Sequence, residues 1–379
     1  MRIESKIPDV GTSIFTVMSK MALDHDAINL SQGFPDFMID DDIIQLVHRY
    51  MRDGHNQYAP MPGTPALRNV IADVVRSSFG RNVDPDTEIT ITSGATESIF
   101  SVISAFVGRG DEVIMFDPSY DSYDPSVRLN GGIPVHVNMS RDFGIDWEAV
   151  RARITKATRM VIINTPHNPS GSILSESDLR ELEQIAEQHD LLVLSDEVYE
   201  RLIFDGATHQ SVLRFPALAN RSFAVFSFGK TFHATGWKMG YVVAPAALTT
   251  EIRRAHQFVV FSVNTPIQLA MADYLGDAEH YTSLGRFYQQ KRDFFLNEIR
   301  GSGFEPIPSR GSYFQLVSYR AISHEPDVAM AERLTRQFKV ASIPISVFYK
   351  DNTDHNILRF CFAKKEETLA KAGRILRGI

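Results

Sequence analysis

The stretch from Ser222 to Pro245, SFAVFSFGKTFHATGWKMGYVVAP, carries the strongest structural signal in the chain. It begins with an apolar run typical of a β-strand and ends with a second one, and a polar turn separates the two. Lys230 lies in this turn, where an enclosed amine can lose its proton through desolvation and act as a nucleophile. The alternative is a surface lysine beside a strand.

Two neighbours of Lys230 indicate what kind of ligand the turn would bind. Ser227 precedes it by three residues and Lys238 follows it by eight. They supply a hydroxyl and a cation, which are the usual partners of a phosphate group. A nucleophilic amine beside a phosphate site suggests pyridoxal phosphate held on Lys230 as a Schiff base.

Length, charge and cysteine content exclude several classes of protein. A chain of 379 residues is longer than one hydrophobic core usually supports, so we expect two domains. The net charge of −7 disfavours nucleic acids and anionic membranes as partners. Cys361 is the only cysteine, which excludes an intramolecular disulfide and favours a cytoplasmic location. The sequence shows neither a signal peptide nor an apolar run of about 18 residues, so we expect no membrane span.

Strand and helix patterns alternate from about residue 85 to residue 245. This alternation predicts an α/β fold with a mainly parallel central sheet between helices. The ends of the chain predict a smaller α+β domain. We therefore predict an N-terminal arm that is part of the small domain (1–40), a large cofactor-binding domain (41–278) and a small C-terminal domain (279–379).

Asp196 ends the apolar run LLVLSDEVYE at 191–200. A carboxylate at the end of a buried strand is costly unless it is paired, and a protonated ring nitrogen would be a suitable partner. Its charge would keep the ring able to accept electrons. The alternative is a metal ligand, but no His or Cys cluster accompanies Asp196, so no metal is expected. Tyr199, three residues later, can reach the hydroxyl of the same ring.

Three further segments supply candidate cofactor contacts at the ends of predicted strands. Gly94, Ala95 and Thr96 lie at a predicted helix N-terminus, which is a good anion site. Tyr120 follows a buried strand and can stack on a pyridine ring, although it could also be a capping aromatic. The amide of Asn168 can bind the ring oxygen of the cofactor, with an Asx turn as the alternative.

Arg359 is embedded in the apolar β pattern NILRFCF at 356–362. Arginine is almost never buried without a partner. Its planar guanidinium group matches a carboxylate in bidentate geometry. Arg359 is therefore a candidate for binding a substrate carboxylate, and an internal salt bridge is the alternative.

The motifs together resemble those of a known family. SFGKTFHATGWKMGYVVAP resembles the cofactor-lysine signature of the class I/II aminotransferases, which are fold-type I pyridoxal-phosphate enzymes. LSQGFPDF, NQYAPMPGTPALR, NTPHNPSG, SDEVYE and LRFCFAK are similar to motifs of methionine and kynurenine–glutamine aminotransferases. The resemblance extends from about residue 29 to residue 364. It implies that Lys230 binds pyridoxal phosphate and moves a proton while an amino group passes to a 2-oxo acid.

The resemblance also implies roles that the residues alone do not reveal. It places Gly33 beside the substrate carboxylate and assigns Arg359 to binding that carboxylate. Phe15 and Phe261 are candidates to border the substrate, with a docking contact as the alternative for Phe15 and core packing as the alternative for Phe261. Tyr58 is expected to reach the phosphate in a neighbouring subunit, which implies a homodimer with shared active sites.

Two departures from the family patterns bear on the substrate. No additional basic residue can be matched to those that bind a side-chain acid in dicarboxylate-specific relatives, and Thr96 stands where kynurenine-type relatives have an aromatic residue. We therefore predict a donor with a large neutral side chain: methionine, an aromatic residue, histidine, glutamine or kynurenine. A cysteine-S-conjugate β-lyase on the same scaffold is one alternative. A non-catalytic binding protein with this fold is another.

Overall fold

The computed structural model describes residues 4–379, in which strands and helices alternate over much of the chain. The strands are β1 (Ile28–Asn29), β2 (Ile89–Thr92), β3 (Glu112–Asp117), β4 (Ile133–Asn138), β5 (Thr158–Asn164), β6 (Leu192–Asp196), β7 (Ser222–Ser227), β8 (Gly240–Val243), β9 (Glu305–Pro306), β10 (Phe314–Ser318), β11 (Val340–Ala341), β12 (Ile343–Pro344) and β13 (Ile357–Cys361). The helices are α1 (Ile14–Asp24), α2 (Asp41–Arg52), α3 (Pro65–Phe79), α4 (Ala95–Phe106), α5 (Tyr123–Leu129), α6 (Trp147–Arg151), α7 (Glu176–Gln188), α8 (Pro216–Ala219), α9 (Phe228–Thr231), α10 (Ala246–Val259), α11 (Thr265–Leu275), α12 (Glu279–Thr282), α13 (Leu284–Glu298), α14 (Asp327–Gln337) and α15 (Glu366–Leu376).

A seven-stranded sheet of order β2-β8-β7-β6-β5-β3-β4 forms the centre of the molecule. Strands β3 to β7 pair in parallel, and β8 runs antiparallel to both of its neighbours. Alternate residues of β5 point to opposite faces, so Val161 and Ile163 join one apolar core while Met160 and Ile162 join another. Burial of both faces explains why these strands read as continuous apolar runs. The predicted mainly parallel α/β sheet is confirmed.

A second, antiparallel sheet of order β12-β13-β10-β9 is built from the C-terminal third of the chain. Helices α13 and α15 pack against each other, and α14 packs on β11 and β12. Strand β1 pairs in parallel with β11, so the N-terminal segment joins this smaller α+β unit. The boundaries predicted at residues 41 and 279 stay a prediction.

The carboxyl ends of the parallel strands bring polar residues to one edge of the central sheet. Asn164 ends β5 and is paired in register with Asp196, which ends β6. Ser227 ends β7, and α9 with Lys230 follows it immediately. Ligands of open α/β sheets bind at this edge. Within residues 4–379, no helix combines the length and apolar character needed to cross a bilayer.

Candidate active site

A cleft of about 280 Å³ lies at this edge of the sheet. It brings together thirteen of the residues predicted from the sequence: Phe15, Gly33, Gly94, Ala95, Thr96, Tyr120, Asn168, Asp196, Tyr199, Ser227, Lys230, Lys238 and Arg359.

Lys230 presents the amine of a half-buried side chain to the cleft. Its Nζ donates a hydrogen bond to the hydroxyl of Tyr313 at 2.9 Å and lies 3.5 Å from the carbonyl oxygen of Gly33. Burial lowers the pKa of Lys230 to about 8. A larger share of this amine is therefore uncharged near neutral pH than in an exposed lysine, as a nucleophile requires.

Asp196 is a buried carboxylate with only 4% of its surface exposed. Its Oδ2 accepts a hydrogen bond of 2.6 Å from the hydroxyl of Tyr123, and Oδ1 accepts one from the backbone N–H of Val198 at 3.3 Å. Burial raises the pKa of Asp196 to about 6, and the Tyr123 hydrogen bond partly offsets that rise. A cationic group bound beside Asp196 would stabilise its ionised form.

Close approaches between backbone segments shape the predicted anion site. Gly94 precedes α4 with φ of 78°, a conformation that favours glycine, and a Cβ there would lie 3.4 Å from Nζ of Lys238. A Cβ on Gly240 would lie 2.9 Å from the backbone nitrogen of Ala95, so glycine is needed for β8 to pass the start of α4. The helix N-terminus, the Lys238 ammonium group and the Ser227 hydroxyl all face the cleft. Such a set of donors suits a phosphate.

Arg359 is completely buried. It donates hydrogen bonds from Nη1 to Oδ1 of Asn168 at 2.7 Å and from Nη2 to the carbonyl oxygen of Ser31 at 3.0 Å. Its Cζ lies 3.9 Å from the centre of the Phe314 ring. Burial lowers its pKa to about 10, so it stays protonated at neutral pH.

No acidic residue among residues 4–379 lies close enough to form an ion pair with Arg359. Its buried Nε also lacks a hydrogen-bond partner within that part of the chain. The alternative of an internal salt bridge is therefore wrong for these residues. Because an unpaired buried cation is costly, the site favours a carboxylate ligand from outside the protein.

Aromatic side chains surround these charged groups. Burial raises the pKa of Tyr120 to about 12 and that of Tyr199 further, so both hydroxyls stay protonated near neutral pH. The Phe15 ring centre lies 5.1 Å from Cζ of Arg359 and 5.8 Å from the centre of the Phe348 ring. These rings make the wall beside Arg359 apolar.

Two residues that contact predicted site residues were missed by the sequence reasoning, Asn164 and Tyr313. Asn164 donates from Nδ2 to the carbonyl oxygen of Asp196 at 2.8 Å, and its Oδ1 accepts from the backbone N–H of Asn168 at 2.7 Å. Its position at the end of a buried strand is the same signal that selected Asp196. Tyr313, the partner of Lys230, precedes β10 and gives no comparable signal in the sequence.

The structure does not bring Tyr58 and Phe261 into the cleft of this chain. The Tyr58 side chain is 84% exposed, and its ring meets that of Phe261 edge to face at 5.4 Å between centres. Their predicted contacts with cofactor and substrate stay predictions.

Comparison with known proteins agrees with the site and the fold. The family described as aminotransferase class I and II matches residues 25–376. A methionine aminotransferase of Escherichia coli strain K12 is 49% identical over 376 residues, with 99% of this chain and 97% of that protein covered. A kynurenine–oxoglutarate transaminase of Dictyostelium discoideum is 34% identical, with 96% of this chain and 93% of that protein covered.

A solved structure extends the comparison to three dimensions. A crystal structure of an Escherichia coli protein identified as having a methionine aminotransferase function gives a TM-score of 0.98 at 48% identity, with both chains fully covered. These matches confirm the predicted fold type and the predicted enzyme class, an aminotransferase. The chain belongs to the class I and II aminotransferases.

Proposed function

We propose that this aminotransferase uses pyridoxal 5′-phosphate to transfer an amino group from a neutral, large amino acid, with methionine foremost, to a 2-oxo acid. The observation that carries the proposal is that one cleft holds a half-buried amine, a buried carboxylate and a buried guanidinium group, those of Lys230, Asp196 and Arg359. The carboxylate and the guanidinium each favour a ligand of opposite charge.

The residues of the cleft fit the cofactor group by group. Its phosphate would be bound by the start of α4 at Gly94, Ala95 and Thr96 together with Ser227 and Lys238. Its ring nitrogen would pair with Asp196. Its ring and ring hydroxyl would contact Tyr120, Asn168 and Tyr199, and Lys230 would hold it covalently. Each charge on the cofactor would thus face an opposite charge or a suitable donor.

The protein contributes binding, orientation and proton transfer. When bound, pyridoxal phosphate supplies an electron sink for the negative charge that develops at the substrate Cα. Arg359 and Gly33 orient the substrate through its α-carboxylate. Nζ of Lys230 takes the Cα proton, because its pKa of about 8 leaves a useful fraction of the amine uncharged. Asp196 supplies a fixed negative charge where the ring nitrogen of the cofactor would lie.

The lining of the cleft supports a substrate with a neutral side chain. The Lys and Arg residues that line it, within residues 4–379, are Lys230, Lys238 and Arg359, and each already has a role. The apolar wall includes Phe15, which suits an apolar or thioether group. The similarity to a methionine aminotransferase supports methionine in particular.

The substrate is tested by measuring kcat/KM for methionine, phenylalanine, glutamine, kynurenine and aspartate with one common 2-oxo acid. We expect the neutral donors to lie within a few powers of ten of one another, because each methylene-sized contact contributes about 1–3 kcal/mol. Methionine is expected to rank first and aspartate last. A preference for aspartate would contradict the inference that Lys230, Lys238 and Arg359 leave no cation of the cleft, within residues 4–379, free to bind a side-chain carboxylate.

The β-lyase alternative predicts a different product balance. A cysteine conjugate would release pyruvate and ammonia without any 2-oxo acid acceptor. We expect product formation to depend on the acceptor, since transamination leaves the amino group on the enzyme until an oxo acid removes it.

We further propose a cytoplasmic homodimer with shared active sites. An exposed apolar patch supports an interface: it consists of Tyr58, Phe258, Val259 and Phe261, with side chains between 46% and 85% exposed. Patches of this kind mark interaction sites. The cytoplasmic location is supported by the single, buried cysteine Cys361, which forms no disulfide within the chain.

Shared active sites are tested by mixing two inactive variants, Tyr58→Ala and Lys230→Ala. In a mixed dimer, the intact Lys230 of one subunit would be completed by the intact Tyr58 of the other. Random mixing makes half of the dimers mixed, with one restored site each, so recovery of about a quarter of wild-type activity is expected. Mixing Lys230→Ala with a variant that carries both substitutions should restore no activity, because neither subunit then has Lys230. No recovery in the first mixture, or a fully active monomer in solution, would refute shared sites.

A further inference from the structure

The partner of the Lys230 amine is a tyrosine from a distant part of the chain. Tyr313 is completely buried, and its hydroxyl accepts a hydrogen bond from Nζ of Lys230 at 2.9 Å. The same hydroxyl donates to the carbonyl oxygen of Gly33 at 2.5 Å. Three separate segments of the chain therefore meet at one polar point.

Gly33 can make this contact because it has no side chain. A Cβ at residue 33 would lie 2.7 Å from Cζ of Phe314 and 3.1 Å from Cε2 of Tyr313. Glycine thus lets the backbone carbonyl approach the tyrosine hydroxyl closely. Because the hydroxyl proton is donated to this fixed acceptor, the tyrosine oxygen is left with lone pairs for the lysine.

The arrangement constrains the direction of the amine lone pair. An uncharged amine has two hydrogens and one lone pair. If its hydrogens point to the Tyr313 oxygen at 2.9 Å and, more weakly, to the Gly33 oxygen at 3.5 Å, the lone pair must point away from both acceptors. Lys230 lines the cleft and Tyr313 does not, so a lone pair that points away from the Tyr313 oxygen is directed into the cleft, where the substrate would bind.

We propose that Tyr313 is a positioning residue: with the Gly33 carbonyl, it forms a two-acceptor cradle that holds the free Lys230 amine with its lone pair turned into the cleft. The proposal rests on the proposed function, in which Lys230 is the reacting amine. The cradle acts whenever Lys230 is not covalently attached, and so at the stage when it must take a proton from the substrate. A misdirected base loses rate even where it stays close to its target.

The first test follows Lys230 itself in the cofactor-free full-length chain. Reductive methylation with formaldehyde and cyanoborohydride over a pH series, followed by mass spectrometry of the Lys230 peptide, gives the pH midpoint of amine reactivity. Besides Tyr313, the titratable or charged groups that act on this amine include Cys361, Asp196, Lys238 and Arg359, and its Nζ lies 5.7 Å from the centre of the Tyr199 ring. Tyr313→Phe keeps the ring but removes one acceptor of the ammonium form, so the midpoint should fall by about half a pH unit or more.

The second test measures a single half-reaction of the cofactor-loaded enzyme with Cα-deuterated and ordinary methionine. We expect Tyr313→Phe to lower the rate constant by about ten- to a hundredfold with KM changed by less than about threefold, and to increase the isotope effect. Tyr288→Phe is the matched control, since its buried hydroxyl contacts Nδ1 of His233 at 2.9 Å and its ring centre lies 5.9 Å from that of Tyr313. This control should alter neither readout.

If Tyr313→Phe had the same pH midpoint and the same isotope effect as the wild type, the proposed cradle would be overturned. If that variant fails to fold, 3-fluorotyrosine at position 313 preserves the ring and a hydroxyl that is a weaker acceptor, so it should move both readouts in the same direction by less. An unchanged midpoint there would also overturn it. If the proposed function itself were wrong, the results would differ. Borohydride would then fix the cofactor to a lysine other than Lys230, while the pH midpoint of Lys230 could still be measured.

Discussion

Replacing Lys230 by alanine is expected to lower kcat for every amino donor by about 10⁵-fold or more, because one side chain supplies both the covalent attachment and the general base. Its amine lines the cleft together with that of Lys238, and burial lowers the pKa of Lys230 to about 8. The variant should still bind cofactor through the phosphate site, but without a covalent bond. The measurement is kcat together with the absorbance of purified protein before and after borohydride reduction.

Borohydride should fix the cofactor of the wild-type enzyme to the peptide that contains Lys230. Lys291→Ala is a suitable control, because burial also lowers the pKa of Lys291 although its Nζ contacts the carbonyl oxygen of Lys364 outside the cleft. This control should retain the label at Lys230 and near-normal turnover. Label on any lysine other than Lys230 would show that the assignment is wrong.

The lowered pKa of Lys230 also predicts how the rate of cofactor attachment depends on pH. An amine with a pKa of about 8 is uncharged in about one molecule in ten at pH 7, against roughly one in three thousand for an ordinary lysine. The protonated form loses population as pH rises, so recombination of the cofactor-free chain with pyridoxal phosphate should accelerate up to about pH 8. Above that pH the rate should level off. A rate that keeps rising to pH 10 would mean that the reacting lysine is an exposed one.

Residues whose role follows from local pattern could be predicted from the sequence. Asp196 and Arg359 were found because a charge inside an apolar strand is costly without a partner. Strand ends also indicated the correct edge of the sheet, since parallel strands place their carboxyl ends together. The same reasoning could have selected Asn164, which ends β5 beside Asp196.

Contacts between distant segments could not be predicted in this way. Tyr123 binds the carboxylate of Asp196 from 73 residues away, and Tyr313 meets Gly33 from 280 residues away. Tyr123 lies between Ser122 and Asp124, and Tyr313 lies between Ser312 and Phe314. Neither local sequence indicates the hydroxyl partner, which depends on packing between elements. Tyr58 and Phe261 were linked to the site by family resemblance alone, and in this chain they contact each other at the surface.

Replacing Asp196 by asparagine is expected to leave cofactor bound but to lower kcat by about 10³-fold or more, because the site loses the charge that keeps the cofactor ring protonated. Asparagine retains the shape and an oxygen that can accept from Tyr123, so the change removes mainly the charge. Tyr123→Phe is the matched control: it removes the hydrogen bond of 2.6 Å and keeps the carboxylate. A loss of about tenfold or less is expected there. Near-normal turnover in Asp196→Asn would rule out the role of the carboxylate.

The stability of the cofactor-free chain gives a second measure of Asp196 that does not depend on activity. Its pKa is about 6 in the folded chain against a usual value of 3.8, so the folded chain binds more protons between these values than the unfolded chain does. The stabilising contribution of the protonated carboxyl is therefore complete below pH 3.8 and is lost as pH rises through 6. Asparagine does not titrate, so the free energy of unfolding of Asp196→Asn should gain on that of the wild type by about 2 kcal/mol between pH 4 and pH 8. Bound cofactor should reduce this pH-dependent difference in the free energy of unfolding, because a cationic ring nitrogen would compensate the ionised carboxylate. A gap that is independent of pH in the cofactor-free chains would mean that Asp196 is not held as a destabilised carboxylate awaiting a cation.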